Sequence, residues 1–237
     1  MIIGFLIVPN PKLNPGIIME KTVLIVFLIL CIGMMFMMPD AVAQVNENNQ
    51  KMLDDKITKF LNANKDNWHD LNVPYADGKV LYDIILKNHY KTALEIGTST
   101  GHSSIWLAWA LSKTGGKLIT IEIDKERRDA AVENFNKLGL SDYIDARLAN
   151  AHQLVKELKG PFDFIFSDAD KDWYTQYFKD LDPKLRVGGC FTAHNVLNGF
   201  EGADEFVKYI TGLKNYDTRI DRSSSSGLSI SYKRVEK

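Results

Sequence analysis

The fold of this chain is decided by one stretch of sequence, Ala93-Leu94-Glu95-Ile96-Gly97-Thr98-Ser99-Thr100-Gly101-His102-Ser103. Its apolar start leads into a loop whose two glycines, Gly97 and Gly101, allow the backbone to turn tightly and to approach a ligand closely, directly before a predicted helix. Roughly 20 residues further on, a second apolar run ends in Glu122, where doubly wound α/β proteins place a carboxylate that accepts hydrogen bonds from ribose hydroxyls. The pattern therefore predicts an adenosine cofactor in an α/β fold.

The spacing of the glycines indicates which adenosine cofactor. A dinucleotide fingerprint is G-x-G-x-x-G, whereas here three residues separate Gly97 from Gly101 and a carboxylate, Glu95, stands at the end of the strand. That carboxylate repels a phosphate but suits the sulfonium and ammonium groups of S-adenosylmethionine. The pattern favours this cofactor over NAD. A purely structural alternative is that the glycines only shape a strand-to-helix turn.

Composition restricts the class of protein. The chain has 237 residues, is 45% hydrophobic and carries a formal net charge of −1, which is typical of one soluble-type domain with additional segments. Its Lys and Arg residues form no clustered basic stripe, so nucleic acid is not expected as a partner. Only Cys31 and Cys190 occur, which excludes a disulfide framework.

Residues 1–43 are predicted to be a signal peptide or an N-terminal membrane anchor. Lys21 precedes an apolar run over residues 23–38, and Ala41-Val42-Ala43 has the small-x-small pattern of a cleavage site. The run is shorter than the roughly 20 residues that span a bilayer, so both interpretations stay open. Met19 is an alternative start. Residues 1–43 predict that the chain is exported and that it contacts a membrane only through this segment. If the start of the chain is misassigned, a cytoplasmic protein is expected instead.

The remaining chain alternates between helical and strand patterns, as a parallel sheet requires. Helices are predicted near 51–63, 75–88, 102–113, 125–138, 151–158, 172–181 and 201–213. Strands are predicted near 92–96, 117–121, 144–148, 162–167, 189–193, 217–220 and 228–232. The alternation predicts a Rossmann-like, seven-stranded and mostly parallel sheet with helices on both faces. Since no helix separates the last two strands, we expect an antiparallel last strand.

A second group of polar residues follows two neighbouring apolar strands. Asp168, Asp170 and Lys171 come after one strand, and His194 and Asn195 come after the next. Because both strands end at the carboxyl edge of the sheet, Asp168, His194 and Asn195 could hold a divalent cation through oxygen, nitrogen and oxygen atoms. The alternative is that the acidic residues only cap the following helix.

Three segments, Leu94–Thr98, Phe166–Tyr174 and His194–Leu197, resemble the cation-dependent O-methyltransferases, the family that contains the catechol and caffeoyl-coenzyme A O-methyltransferases. The resemblance covers roughly residues 52–237. It implies a class I methyltransferase domain, within residues 44–237, that transfers the methyl group of S-adenosylmethionine to a hydroxyl of a small molecule. It also leaves a homodimer open.

The resemblance also implies roles for individual residues. The methionine part of the cofactor is assigned to Glu95, Gly97, Ser99, Gly101 and Ser103, the ribose to Glu122, the adenine to Asn150 and Ala151, and a further cofactor contact to Asp168. Lys171 resembles the general base of the family and Asp168 is the second catalytic residue, although Lys171 could instead form an ion pair with Asp170 or Asp172.

The chain departs from the family in two places. The family normally has Asp-Asn where this chain has His194-Asn195. Because magnesium prefers oxygen ligands and imidazole suits manganese, iron, zinc or nickel, the cation could be magnesium or manganese, could differ, or could be lost, in which case His194 could serve as the base. The loop after Asn195 is short, which favours a small catechol-like or phenolic acceptor. The alternatives are a non-catalytic S-adenosylmethionine-binding protein and, less favoured, an NAD-dependent reductase.

Overall fold

The computed structural model describes residue 44 and residues 46–65, 68 and 71–235. It divides the chain into two units, Met1–Lys51 and Met52–Lys237. In the first unit the described residues are helical, and the predicted signal or anchor segment, residues 1–43, lies outside the described part of the chain. Among the residues that the structure describes, no helix has the length and apolar character needed to cross a membrane.

A seven-stranded sheet forms the centre of the second unit. Its strands are β1 (Thr92–Ile96), β2 (Lys117–Glu122), β3 (Ile144–Leu148), β4 (Phe162–Ser167), β5 (Leu185–His194), β6 (Tyr216–Asp221) and β7 (Leu228–Lys233). Their order is β3-β2-β1-β4-β5-β7-β6. Neighbours from β3 to β5 are parallel, whereas β7 runs antiparallel to both β5 and β6. The predicted sheet with an antiparallel last strand is confirmed.

Helices cover both faces of the sheet. They are α1 (residues 46–64), α2 (Tyr75–Asn88), α3 (His102–Thr114), α4 (Lys125–Leu138), α5 (Ala151–Glu157), α6 (Tyr174–Leu181) and α7 (Glu201–Thr211). Strand side chains alternate between the two faces. In β4, Phe164 and Phe166 pack in the core with α2 and α3, while Ile165 packs in the core with α5, α6 and α7. A third cluster joins α3 to α4 and to the part of α1 that lies in the second unit.

The structure corrects the predicted elements in three places. The first helix, predicted near 51–63, covers residues 46–64. The fifth strand begins at Leu185 rather than near residue 189, and its register with β4 shifts between Phe162 and Phe164. The pair Gly188-Gly189 is typical of a turn before a strand. Gly188 does have a φ of +79°, but the residues on both sides of it belong to β5. The helix predicted from residue 172 begins as a short 3-10 turn, Lys171–Trp173, and continues as α6.

The strand order places the site. β2 and β3 lie on one side of β1, and β4 to β7 lie on the other, so the strand order changes direction between β1 and β4. Ligands in open α/β sheets bind at such a switch point, beyond the carboxyl ends of the strands. The residues that follow β1 to β5 therefore meet at one edge. Asp124 caps α4 there, because its side chain accepts a hydrogen bond of 3.0 Å from the Arg127 amide.

Candidate active site

A cleft of about 610 Å³ opens at the carboxyl ends of β1 to β5, which is a size typical of small-molecule sites. Nine of the predicted site residues line it: Gly97, Ser99, Glu122, Asn150, Ala151, Asp168, Lys171, His194 and Asn195. The other three, Glu95, Gly101 and Ser103, are buried and are not among its lining residues. The structure thus brings most of the predicted residues to one place.

The two glycines of the loop after β1 meet different parts of the fold. Gly97 has a φ of +101°, and a Cβ atom there would lie 2.8 Å from the carbonyl oxygen of Asp168. Gly101 has a φ of +97°, and a Cβ atom there would lie 2.6 Å from the ring of Phe135 in α4. Gly97 therefore lets the loops after β1 and β4 approach each other at the cleft, whereas Gly101 lets α4 pack against the start of α3.

Glu122 is fixed in the wall of the cleft by three backbone amides. Its Oε2 atom accepts a hydrogen bond of 2.7 Å from Ser99, and its Oε1 atom accepts hydrogen bonds of 3.0 Å from Ile123 and Asp124. A carboxylate has about four lone-pair sites, so three amides leave capacity for another donor. The side chain is thereby oriented as an acceptor at the position predicted to bind ribose hydroxyls.

Glu95 lies behind the glycine loop and is completely buried. Its Oε2 atom accepts hydrogen bonds from the hydroxyls of Ser104 and Thr120, the latter at 2.6 Å, while its Oε1 atom has no partner. Burial raises the pKa of Glu95 to about 7, against nearby hydroxyls, including that of Ser103, which lower it. The side chain does not line the cleft, so Glu95 supports the site by joining α3 to β2 through the Ser104 and Thr120 hydroxyls.

The N-terminus of α3 is covered by the segment before α2. The His102 amide donates to Oδ1 of Asn72 at 3.3 Å, and the Trp68 indole and the Asn72 amide group each donate to the Thr100 hydroxyl at 2.9 Å. Burial lowers the pKa of His102 to about 4, so that this ring is neutral at pH 7. A dinucleotide pyrophosphate needs an open helix N-terminus, and this one is closed by protein groups.

The predicted adenine end contains a flat aromatic pair. Asn150 caps α5, because its Oδ1 atom accepts a hydrogen bond of 2.9 Å from the His152 amide. The His152 ring stacks on Trp173 with centroids 3.6 Å apart and an interplanar angle of 10°, and its Nε2 atom lies 3.0 Å from a carboxylate oxygen of Asp170. Ile123, 70% exposed, lines the cleft beside Glu122. Nothing in the sequence pattern marks Ile123 or His152 as a site residue.

A chain of charged side chains lies at the other end of the cleft. The Lys171 ammonium donates to Oδ1 of Asp168 at 2.8 Å, and Nδ1 of His194 lies 3.2 Å from Oδ2 of the same carboxylate. Nε2 of His194 lies 2.8 Å from Oδ2 of Asp77, which also accepts a hydrogen bond of 2.6 Å from the Ser224 hydroxyl. Burial lowers the pKa of His194, but the charge of Asp168 and the hydrogen bonds to Asp168 and Asp77 outweigh it and raise the pKa to about 9.

The predicted divalent cation does not fit these residues. Both ring nitrogens of His194 face carboxylate oxygens, which only accept hydrogen bonds, so both nitrogens carry hydrogen and neither has a lone pair for a metal. Each oxygen of Asp168 already faces a donor, from Lys171 or His194. Within the described part of the chain, no group of three or more His, Cys, Asp or Glu side chains could hold a metal ion. A doubly protonated ring also cannot accept a proton, so the alternative of His194 as the base is not supported either.

Asp77 and Ser224 are the main residues that sequence reasoning missed. Asp77 lies in the first turn of α2, and its side chain is 1% exposed. It contacts His194 although the two residues are 117 positions apart in sequence. Nothing in its local pattern distinguishes it from an ordinary acidic residue near a helix start. Ser224 belongs to the loop between β6 and β7, where a run of serines predicts only a polar connection.

Comparisons with known proteins show which family the chain is similar to. A family model described as O-methyltransferase matches residues 44–215. A catechol O-methyltransferase of Niastella koreensis is 39% identical over 139 residues, which are 57% of this chain and 62% of that protein. A caffeoyl-CoA O-methyltransferase of Eucalyptus globulus is 33% identical over 135 residues, which are 55% and 54% of the two chains. The chain thus spans less than two thirds of the length of these curated relatives.

Solved structures show the same fold. The O-methyltransferase from Bacillus cereus, in complex with SAH, matches with a TM-score of 0.63 and 27% identity, over 78% of this chain and 91% of that one. The O-methyltransferase TomG from Streptomyces achromogenes, in complex with SAM, matches with a TM-score of 0.67 and 24% identity, over 76% and 90%. The second likeness concerns the fold alone.

Proposed function

The chain belongs to the O-methyltransferase family, and from that premise we propose that it transfers the methyl group of S-adenosylmethionine to a hydroxyl of a small, catechol-like phenolic molecule. The observation that carries the proposal is the Glu122 carboxylate, which three amides hold in the cleft wall as an acceptor for ribose hydroxyls. The polar cluster of Asp168 and Lys171 lines the same cleft, so the cofactor and a reacting hydroxyl would share one space.

The residues present suit S-adenosylmethionine. The ribose would bind Glu122, and the adenine would lie near Ile123, Asn150 and Ala151 at the end that His152 also lines. The close approach at Gly97 would let the methionine part run over the backbone of the loop after β1. Glu95, buried behind this loop and hydrogen-bonded to Ser104 and Thr120, supports the loop but does not line the cleft.

The methyl transfer requires alignment and one proton acceptor. An oxygen lone pair of the acceptor forms a bond to the methyl carbon while the carbon–sulfur bond breaks, and its electron pair returns to sulfur, which becomes a neutral thioether. The hydroxyl proton would pass to Lys171 in its neutral amine form, held 2.8 Å from Oδ1 of Asp168. The protein contributes by holding the oxygen, methyl carbon and sulfur in line.

The size and edge of the cleft favour a small acceptor. A volume of about 610 Å³ has to contain both cofactor and acceptor. Two exposed apolar side chains, Leu71 and Phe200, line the cleft together with Asp168 and Lys171. An aromatic ring that carries a hydroxyl matches such a mixture of apolar and charged groups.

The structure bears differently on the two alternative functions. A non-catalytic S-adenosylmethionine-binding protein is favoured by one observation, the ion pair of Lys171 with Asp168, which would hold the proposed base as an ammonium. An NAD-dependent reductase is disfavoured because protein groups cover the N-terminus of α3, where a pyrophosphate would bind.

The test is methyl transfer by the 237-residue chain from methyl-labelled S-adenosylmethionine to a panel of catechols and simple phenols. We expect labelled ether and an equal amount of S-adenosylhomocysteine. Lys171→Met should lose transfer and keep cofactor binding by calorimetry, whereas Lys208→Met, an exposed lysine of α7, should change neither. Binding without transfer across the panel would favour the non-catalytic function, and no binding would overturn the proposal.

The cellular location is a separate part of the proposal. We propose that residues 1–43 act as a signal peptide or anchor that exports the chain or holds it at a membrane, as their charged, apolar and small-residue pattern predicts. Fractionation of cells with an antibody against the second unit, Met52–Lys237, would test it, because a purely cytoplasmic chain would contradict it. A homodimer stays a prediction, which light scattering would test.

A further inference from the structure

We propose that His194, hydrogen-bonded between Asp77 and Asp168, takes the place of a divalent cation in this chain, so that methyl transfer proceeds without a bound metal. The inference rests on the proposed function and deepens it, because it states which group occupies the place of the cation beside Asp168. It contradicts the cation that the family resemblance implies, and its basis is the arrangement of four charged side chains at one end of the cleft.

The first step is the hydrogen bonding of the His194 ring. The ring is 4% exposed, and its two nitrogens lie 3.2 Å from Oδ2 of Asp168 and 2.8 Å from Oδ2 of Asp77. Ionised carboxylates only accept hydrogen bonds, so an arrangement with two carboxylate partners requires hydrogen on both nitrogens. The ring is therefore an imidazolium, with the positive charge placed between two negative groups.

The second step is the rigidity of this arrangement. The Tyr174 hydroxyl donates a hydrogen bond of 3.0 Å to the carbonyl oxygen of His194, and the Ser224 hydroxyl donates one of 2.6 Å to Asp77. Asp77 is anchored in α2, His194 ends β5, and Asp168 follows β4. Groups from several separate elements thus hold the ring, so a rotation that freed Nδ1 for a metal would break buried hydrogen bonds.

The third step is the balance of charge. Asp77 and Asp168 contribute two negative charges, and the His194 ring contributes one positive charge. The cluster is neutral while Lys171 is paired with Asp168 as an ammonium, and its net charge is −1 when Lys171 is the neutral amine that accepts the proton. A divalent cation at Asp168 would face the His194 imidazolium, whichever form Lys171 has, in a largely buried place where like charges repel strongly. The family normally has Asp at position 194. Replacing this Asp by an imidazolium changes the local charge from −1 to +1. The change equals the charge of the divalent cation.

The His194 ring has a positioning role in the reaction. Because both N–H groups are used, His194 neither takes the acceptor proton nor binds the acceptor, and it acts as a positioning residue. It fixes the Asp168 carboxylate, whose other oxygen holds Lys171, and so keeps the proton acceptor in place beside a hydroxyl bound in the cleft.

The experiment compares metal dependence in three proteins after treatment with EDTA and removal of the chelator: the wild type, His194→Asp and the matched control His194→Asn. Methyl transfer to a catechol is measured with no metal, with Mg²⁺ and with Mn²⁺. Binding of Mn²⁺ is measured independently of activity, by electron paramagnetic resonance of the free ion. S-adenosylmethionine binding and thermal unfolding show which variants are folded.

We expect wild-type transfer to change less than twofold with EDTA, Mg²⁺ or Mn²⁺, and no Mn²⁺ to bind at millimolar concentration. His194→Asp should bind Mn²⁺ and gain at least tenfold in transfer when Mg²⁺ or Mn²⁺ is added. His194→Asn should lose at least tenfold in transfer, with or without metal. A purely structural role of His194 would not create a metal requirement in one variant alone.

Wild-type transfer that EDTA abolishes and Mg²⁺ restores would overturn the inference, as would wild-type binding of Mn²⁺ that His194→Asn removes. If His194→Asp does not fold, the wild-type measurements still decide between these results. If the wild type transfers no methyl group under any condition, the proposed function fails, and Mn²⁺ binding by the wild type then tests the inference separately.

Discussion

At the scale of single residues, the loop after β1 contains two glycines with nearly the same backbone conformation and different neighbours. Gly97, with a φ of +101°, faces the Asp168 backbone at the cleft, and Gly101, with a φ of +97°, faces the Phe135 ring within the fold. The sequence pattern treats them as equivalent parts of one ligand-binding loop. Only the packing of α4 against α3 separates the glycine at the cleft from the one in the core.

Gly97→Ala should lower S-adenosylmethionine affinity by about tenfold or more, because the added Cβ would push the loop away from Asp168. Titration calorimetry measures this effect. The matched control is Gly139→Ala, at a φ of +78° with nothing within 4 Å of the added atom. It should cost about 1 kcal/mol of stability from backbone strain and leave affinity unchanged. Equal affinity losses in both variants would contradict the role of Gly97.

Glu122→Gln should weaken both S-adenosylmethionine and S-adenosylhomocysteine binding by about 10–100-fold, because a charged acceptor is replaced by an amide that cannot satisfy three backbone donors and a ribose. The loss should be similar for both ligands, since they share the ribose. Glu126→Gln, an exposed carboxylate in the first turn of α4, serves as the control. Unchanged affinity in Glu122→Gln would mean that the ribose binds elsewhere.

At the scale of elements, the charged cluster connects α2 to β5. Asp77 in α2 and His194 at the end of β5 are joined by a buried ion pair of 2.8 Å, and Ser224 in the loop before β7 also donates to Asp77. This contact joins a helix to the sheet at the cleft itself. A change in the cluster should therefore affect both stability and the site.

Asp77→Asn should lower the free energy of unfolding by about 3 kcal/mol, because it leaves a buried imidazolium with only one carboxylate partner. The control, Asp83→Asn, removes an exposed carboxylate of the same helix that pairs with Lys79 at 2.7 Å, and should cost less than about 0.5 kcal/mol. Urea denaturation measures both. Losses of equal size would show that the buried pair contributes no more than a surface pair.

Most elements of the fold could be predicted from the sequence, because apolar runs, glycines and caps are local signals. The start of β5 could not, since Arg186, Val187 and Gly188 are exposed and a glycine pair is more typical of a turn. The charged cluster could not be predicted for a different reason. Asp77 meets His194 only through the tertiary fold, and without Asp77 the pattern of Asp168, His194 and Asn195 resembles a metal site.

At the scale of the whole molecule, stability should depend on pH through Glu95. Its pKa in the folded chain, about 7, lies above the ordinary value of 4.5, so the folded state binds this proton more tightly than the unfolded state does. The resulting stabilisation is complete below about pH 4.5 and is lost as the pH rises through 7.

The free energy of unfolding of the wild type, relative to that of Glu95→Gln, should therefore fall by up to about 3 kcal/mol between pH 4.5 and pH 8. Chemical denaturation of both proteins across this range measures the difference, and other titrating groups cancel because both proteins contain them. A difference that is constant with pH, or that grows as the pH rises, would contradict a buried Glu95 that is hard to ionise.

The most direct test of the central claim is the fate of a labelled methyl group when the 237-residue chain, S-adenosylmethionine and a catechol are combined. The cleft described above predicts that the label appears on a catechol oxygen, in an amount equal to the S-adenosylhomocysteine formed, and that Lys171→Met abolishes this transfer. Binding of S-adenosylmethionine without any movement of the label to a catechol or phenol would contradict the proposed enzyme.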